Sequence, residues 1–467
     1  MMEAWFSRWT KTMSSLSIKV EIAPWLDPGQ AKLYVAGKNQ RKRLQFKATD
    51  FSAFFEVIFQ IILLLFPDKE KVNLNRITMV DLQKLKDEFF SLYGNPSGTP
   101  SVYFAPGRVN LIGEHTDYNG GFVFPCALNF GTYLLIRKND DGVVRFASTN
   151  FEFKTDVPLD RLTEKVDNQW VNYPLGVMNE LMDQGMEPVG VDMLFSGDIP
   201  NGAGLSSSAS VEMVTALALN EITGVSLSQL DLVKISQRAE NEFVGMNCGI
   251  MDQFAVGMGK ENHAVFLNCD TLEYDLVPLT LKEYRLVITN TNKKRKLTDS
   301  KYNERRAECD KAVAYINRKR SIRNLGELSL AEFEKLRDLI PDETIRKRAY
   351  HVVSEDARVI EAVHALKKGN LKRFGELMYA SHASLRDNYE VTGIELDTLV
   401  EEAEKIPGVI GSRMTGAGFG GCTVSLVEKD ETGRFIEKLD KAYTERTGLK
   451  ADFYVAEVGD GAKKIEA

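Results

Sequence analysis

The chain has 467 residues, enough for two or three domains at ~100–200 residues each, and its 43% hydrophobic and 27% charged residues are those of a soluble globular protein. Its 59 Lys and Arg against 66 Asp and Glu leave a net charge of −7, without the basic footprint of a nucleic-acid binder. Five scattered cysteines (Cys126, Cys248, Cys269, Cys309, Cys422) with no C-x-x-C pair point to reduced thiols in a cytoplasmic protein and exclude membrane, secreted and disulfide-framework classes.

Residues 1–78 have a different texture. They hold 12 Lys and Arg against 7 Asp and Glu, and three of the four tryptophans, Trp5, Trp9 and Trp25. The apolar run from Phe54 to Phe66 stops at Pro67-Asp68 after about 13 residues, short of the ~20 that a spanning helix needs. A signal peptide would lie nearer the start, with a small-residue cleavage site behind it. The segment is expected to stand outside the working fold, as translation from a start upstream of Met79. A membrane-surface or partner-binding arm using Arg41-Lys42-Arg43 and a small extra domain are the alternatives.

From Met79 onward helical and strand patterns mix. Asp81 to Tyr93 has helical spacing ahead of the breaker Gly94-Asn95-Pro96. Short strand-like runs follow at Val102–Phe104, Phe122–Phe124, Tyr133–Ile136, Val143–Phe146 and Met193–Phe195. Ser206–Leu219 and Leu230–Val244 read as helices, and Tyr302–Asp387 as a long helical stretch. A strand (Val424–Val427), a helix (Arg434–Tyr443) and a strand (Phe453–Val458) close the chain. The expected organisation is an extension (1–78) and two α+β lobes, 79–285 and 286–467.

Four segments carry chemistry. In Pro200 to Ser210 (PNGAGLSSSAS) small residues precede a helix start, where unpaired N–H groups and the positive dipole end suit a phosphate. A Gly/Ser turn with a serine N-cap is the plainer reading, and no G-K-[ST] of a Walker A loop occurs. The second segment, Gly107 to Gly121 (GRVNLIGEHTDYNGG), packs short polar side chains of both signs, as recognition of a polyhydroxylated ligand requires; a solvated turn is the alternative. His115 has no second histidine at zinc-ligand spacing.

In the third, Gly416, Gly418 and Gly421 match G-x-G-x-x-G. A strand pattern (Thr423–Val427) follows where a dinucleotide fold needs a helix, so a close-packing glycine loop is expected instead. The fourth, Gly249-Ile250-Met251-Asp252-Gln253, sets Asp252 in a Gly- and Met-rich turn with few neighbouring charges, where an isolated carboxylate is usually structural.

In their order along the chain the segments resemble the galactokinase family, within the galactokinase/homoserine/mevalonate/phosphomevalonate kinase superfamily, over about residues 80–460. G-R-V-N-L-I-G-E-H-T-D-Y-N is the most specific match. The serine loop, G-A-G-F-G-G, G-I-M-D-Q and the stretch from Asn290 to Tyr302 add to it, while residues 1–78 have no counterpart.

The resemblance implies an α+β, two-lobed small-molecule kinase with its active site in the cleft between lobes. The implied reaction is ATP-dependent phosphorylation of the anomeric hydroxyl of galactose, the first committed step of galactose catabolism. Glu114, His115, Thr116 and Asp117, with Gly249 and Tyr302, would hold the sugar, and Asn110 would lie nearby. Gly202, Ala203, Gly204, Leu205, Ser206, Ser207 and Ser208 would wrap the ATP phosphates, with Ser148 near the nucleotide. Ser208 and Glu240 would hold Mg²⁺, Asp252 would be the catalytic base, and Arg108 its electrostatic partner. A monomer without nucleic-acid or membrane partners is expected. Alternatives are a kinase for N-acetylgalactosamine or arabinose, and a silent sugar- and ATP-binding sensor, against which the intact Ser208-Ala209 stands.

Overall fold

The computed structural model describes residues 80–95, 98–167, 169–200, 203–293 and 298–465, with 298–300 and three strands between residues 19 and 47 as backbone course only. Two compact units divide the chain, Met1–Val72 and Asn73–Ala467. In the first, β1 (Lys19–Ile22), β2 (Gln30–Gly37) and β3 (Gln40–Lys47) pair in that order, antiparallel. The apolar run Phe54–Phe66, Met79 and Gly202 lie outside the described residues.

The second unit opens with α1 (Leu82–Tyr93), which the sequence pattern anticipated. Asp81 caps it by accepting the Gln83 and Lys84 N–H groups at 3.0 and 3.1 Å, and Gly94 ends it at φ 68°. Four of the expected strand runs lengthen into β4 (Ser101–Asn110), β6 (Pro125–Lys138), β7 (Val143–Ser148) and β9 (Val191–Gly197), the run at Phe122 shortens to β5 (Phe122–Val123), and β8 (Thr155–Pro158) was not anticipated. Helix α2 (Asn172–Asp183) precedes β9; α3 (Ser207–Thr223), α4 (Gln229–Arg238) and α5 (Met251–Met258) follow it. The apolar faces of these helices, Leu175, Met178, Met213, Val214 and Phe254 among them, join Leu134, Phe146 and Met193 of the strands in one core.

Next come β10 (His263–Asn268), β11 (Tyr274–Pro278) and β12 (Tyr284–Asn290). The expected long helical stretch is four helices, α6 (Thr298–Ile316), α7 (Leu330–Leu336), α8 (Glu343–Lys367) and α9 (Leu371–Ser384). The breaks fall at capped turns; Ser329 caps α7 in a capping box with Glu332, and Asp342 caps α8. After α10 (Ile394–Glu404), β13 (Val409–Thr415), β14 (Cys422–Glu428), α11 (Thr432–Thr447), β15 (Asp452–Ala456) and β16 (Lys463–Ile465) complete the chain.

The larger sheet has the order β16-β4-β6-β9-β7-β8, and β13-β14-β12-β15 forms a second, antiparallel one. The G-x-G-x-x-G segment leads into β14, so a strand follows it, as its pattern indicated. A second core, with Phe124, Phe130, Phe374 and Leu426, knits strands of both sheets to α8 and α9. Phe374 meets Phe124 edge-on at 6.5 Å and is fully buried. Phe374→Ala is expected to cost about 3–5 kcal/mol, read as a lowered urea midpoint; an unchanged midpoint would show that this junction adds little.

Candidate active site

Strand β4 carries Arg108 past a register irregularity between Pro106 and Arg108. There the strand leans on the loop entering α3: the Arg108 N–H donates to the Leu205 carbonyl at 3.2 Å, and a Cβ on Gly107 would sit 3.0 Å from that oxygen. Arg108 and Asp252 line one cavity of about 280 Å³ together with Glu114, His115, Asp117, Gly204, Ser206, Ser207, Ser208, Glu240, Gly249 and Tyr302. Four segments far apart in sequence meet here.

Arg108 grips Asp252 with two hydrogen bonds, Nε to Oδ1 and Nη2 to Oδ2, both 2.8 Å, and its Nη1 donates to the Gly204 carbonyl at 2.8 Å. The Ser206 hydroxyl donates to Asp252 Oδ2 at 2.6 Å. Asp252 is thus no isolated turn carboxylate, the plainer of the two readings of that segment. Asp252 sits in the first turn of α5, and Asp117, Glu212 and Glu240 all feel its charge. Sequence spacing hid this because those partners arrive from four different elements.

The serine N-cap, the plainer reading of the loop, fits only in part. Ser206 does occupy the cap position of α3, but in the left-handed region at φ 63°, ψ 48°, and its side chain makes no cap hydrogen bond. The hydroxyl is diverted to Asp252, which leaves the first N–H groups of α3 without a side-chain partner at the dipole's positive end. Ala203 and Leu205 turn into the core, so Gly204, Ser206, Ser207 and Ser208 are the loop residues that face the cavity.

On the opposite wall, His115 is held at φ 63° and its Nδ1 pairs with the Tyr118 hydroxyl at 2.9 Å. Burial, with the neighbouring His351, pushes it down to about 3, so the ring is neutral. Its Nε2 is buried beside the Ala417 backbone without a hydrogen bond of good geometry. Glu114 joins the two halves of the chain: Oε1 accepts the Gly416 N–H at 2.8 Å and Arg413 Nη1 at 3.3 Å, and Oε2 accepts Asn110 Nδ2 at 3.1 Å. Asn110 and Thr116 do not line the cavity. The Thr116 hydroxyl bonds the Gly113 and Phe122 carbonyls at 2.9 and 2.7 Å and pins the turn.

Burial and the charge of Asp252 push Asp117 up to about 7. An unfolded aspartate releases its proton near pH ~3.9. A pKa raised on folding means that this contribution to stability is complete below that pH and is lost as pH climbs to about 7. Asp117→Asn is therefore expected to flatten the fall in melting temperature between those pH values in ligand-free protein. Parallel profiles for the two proteins would contradict the shift.

Glu240 lies on a π-helical turn, Ala239–Val244, that continues α4 and brings the carboxylate out of register toward Ser208, within hydrogen-bonding reach. Gln253 Nε2 donates to Glu240 at 2.6 Å and to Glu212 at 3.0 Å. Burial and the charge of Asp252 push Glu240 up to about 7, burial and the charge of Glu240 push Glu212 well above the carboxylate range, and Glu240 has no salt bridge among the described residues. A divalent cation fits that unneutralised carboxylate and the hydroxyl beside it. No group of three or more His, Cys, Asp or Glu suited to a metal occurs among the described residues, so such an ion would be sparsely held by protein.

Ser148 stands apart from this cavity. It lines a neighbouring one of about 120 Å³ with Phe151, Trp170, Tyr173 and Phe195, which Ser207 and Ser208 also border. Trp170 stacks on Phe151 at 6.1 Å and meets Phe195 at 5.3 Å. Sequence reasoning passed over Trp170, although it is the one tryptophan beyond residue 78. It also missed Arg413, Gln253 and Tyr118, whose roles come from contacts and not from local pattern.

The model of the galactokinase galactose-binding signature matches residues 87–138. Those of the GHMP kinase N-terminal and C-terminal domains match 172–260 and 362–445. A galactokinase of Fusobacterium nucleatum is 52% identical over 389 residues, covering 82% of this chain and 100% of its own length. One of Clostridium tetani is 52% identical over 387 residues, covering 83% and 98%. The crystal structure of Lactococcus lactis galactokinase complexed with galactose superposes with a TM-score of 0.80 at 46% identity, over 83% of this chain and 100% of that one. Methanococcus jannaschii mevalonate kinase, 18% identical with a TM-score of 0.58 over 79% of this chain and 100% of its own, shares the fold.

Proposed function

The chain belongs to the galactokinase family and is a phosphotransferase that acts on galactose, and from that premise we propose how its residues divide the work. ATP gives its γ-phosphoryl group to the anomeric hydroxyl, releasing ADP and galactose 1-phosphate. The observation that carries the assignment is the Arg108–Asp252–Ser206 cluster, set between the His115–Asp117–Gly249 wall and the start of α3.

Phosphoryl transfer passes through a loose transition state with charge spread over the transferred oxygens, so positioning and charge stabilisation dominate. The proton of the attacking hydroxyl needs an acceptor. A carboxylate offers about four lone-pair positions, and three hydrogen bonds from Arg108 and Ser206 leave room at Asp252 for one more. That remaining position takes the sugar O–H, and Asp252 acts as base. Arg108, 5% exposed, holds the carboxylate still and offsets charge gathering on the phosphoryl oxygens.

His115, Asp117, Tyr302 and Glu114 bind the sugar, and Gly249 clears space for Asp117. The free N–H groups of α3 with Ser207 and Ser208 receive the phosphates, and the Trp170 cavity beyond Ser148 receives the nucleotide base. Mg²⁺ would be held by Ser208 and Glu240, where it supplies charge neutralisation to the phosphate oxygens. None of the five cysteines is in a disulfide, which supports a reducing, cytoplasmic setting. No helix of the described residues is long and apolar enough to cross a membrane.

ADP release with ATP and Mg²⁺ across galactose, N-acetylgalactosamine, arabinose, glucose and mevalonate tests the scheme. Strong galactose turnover is expected. Preference for another sugar would overturn the substrate, and binding of galactose and ATP without turnover would overturn the catalytic roles.

A further inference from the structure

We infer that a chain of hydroxyl and thiol groups, Tyr118–Tyr389–Cys309, fixes the tautomer of His115 so that its Nε2 carries the proton. The inference rests on the proposed sugar-binding role of His115 only for its kinetic consequence.

The Tyr118 hydroxyl lies 2.9 Å from His115 Nδ1 and 2.8 Å from the Tyr389 hydroxyl, and Cys309 Sγ lies 3.2 Å from that second hydroxyl. Tyr389 and Cys309 are 0% and 1% exposed, so no water competes for the bond between them, while Tyr118 is partly exposed at the cavity. The Tyr389 ring also stands between two imidazoles, with centroids 4.8 Å from His115 and 4.5 Å from His351. His351 in turn points Nε2 at the Glu114 carbonyl at 3.1 Å. The elements are distant in sequence: Tyr118 sits in the 3₁₀ turn Asp117–Asn119, Cys309 on α6, and Tyr389 at the end of a second π-helical turn, Leu385–Tyr389.

Each hydroxyl has one proton, so the whole chain must run one way or the other. Running away from His115, it would end with a tyrosine O–H donating to sulfur, a weak acceptor. Running toward His115, the thiol S–H donates to Tyr389, Tyr389 to Tyr118, and Tyr118 to Nδ1, the strongest base in the series. The second direction puts the good acceptor at the end of the good donors. A neutral imidazole that accepts at Nδ1 must carry its hydrogen on Nε2. That nitrogen is buried and has no hydrogen-bond partner among the described residues, while the His115 ring lines the cavity. His115 is thereby a hydrogen-bond donor to a sugar oxygen. Tyr118 and Tyr389 are positioning residues.

Nitrogen-15 spectra of histidine-labelled, ligand-free protein read the tautomer directly. There are five histidines, and loss of one signal in His115→Gln assigns the right one. The Nε2–H form is expected in the native chain. In Tyr118→Phe the two tautomers should mix, and galactose KM should rise by roughly three- to tenfold, the worth of one hydrogen bond, with ATP KM unchanged. Cys309→Ala should produce a smaller shift of the same kind, while Cys309→Ser, with a better donor, should keep the native spectrum; this pair tests the chain even if Tyr118→Phe folds poorly. An Nδ1–H form in the native protein, or a spectrum indifferent to Tyr118→Phe and Cys309→Ala, would overturn the inference. Unchanged galactose KM in His115→Gln would sink the sugar-binding role instead and leave the tautomer result standing.

Discussion

Asp252→Asn is expected to cut turnover by at least ~10²-fold, the lower range for loss of a general base. Two effects act together. An amide has no proton-accepting charge, and it presents an N–H₂ where one of the three present donors, Arg108 Nε, Arg108 Nη2 or Ser206 Oγ, now finds an acceptor. A donor facing a donor will loosen the loop that Ser206 anchors, so ATP KM is expected to rise as well. Galactose binding, measured by calorimetry without nucleotide, should be largely kept, because the His115 wall does not depend on Asp252 for its hydrogen bonds. Turnover within a few-fold of the native rate would remove Asp252 from the base role.

Gly249→Ala is expected to lower kcat/KM for galactose by ~10²-fold, the scale of a displacement of about 1 Å in a positioned group. The backbone at Gly249 lies outside the left-handed region, so alanine is sterically permitted there by the chain itself. The obstacle is Asp117: a Cβ on residue 249 would fall within the Asp117 carboxylate, far inside van der Waals contact. Asp117 must then swing away from the cavity it lines. ATP KM should hold, since the atoms nearest to a Cβ at residue 249 all belong to Asp117 and none to the serine loop, and the Trp170 cavity does not include Gly249. Normal galactose kinetics in this variant would show that Asp117 does not position the sugar.

Much of this architecture could be read from the chain, and what could not has a common cause. Asp81 before an apolar-periodic run and Gly94 after it announce α1, because caps are local interactions. The same holds for the serine loop before α3 and for the glycines before β14. Periodicity reports which face of an element is buried; it is silent on what meets that face. Arg108 and Asp252 are 144 residues apart, and Glu114 and Gly416 are 302 apart, so only the resemblance to a family could pair the first couple and nothing paired the second. The π-helical turn that delivers Glu240 reads as ordinary helix in sequence, and the one that ends at Tyr389 starts inside the expected helical stretch and runs past its end, since each is only five or six residues long and too short to set a period of its own. Thr116, Ala203 and Leu205 show the opposite error: they belong to the motifs but serve the turn and the core beneath the site.

The order of the larger sheet sets a timetable for synthesis. β4, the strand that carries Arg108, has β6 on one side and β16 on the other, paired Phe104 to Lys463 and Val102 to Ile465. The outer partner is translated about 350 residues after β4, which at ~5–20 residues per second is roughly 20–70 s. Through that interval the catalytic strand has an open edge, the kind of template on which nascent chains pair wrongly. The exposed edge is the stretch Val102–Phe104, while Arg108 further along takes its partners from Ala127, Gly204, Leu205 and Asp252, all of them translated far earlier than β16. Holding that edge safe in the meantime is a task for chaperones, and slowing translation late in the message would lengthen the exposure without touching a single residue of the site.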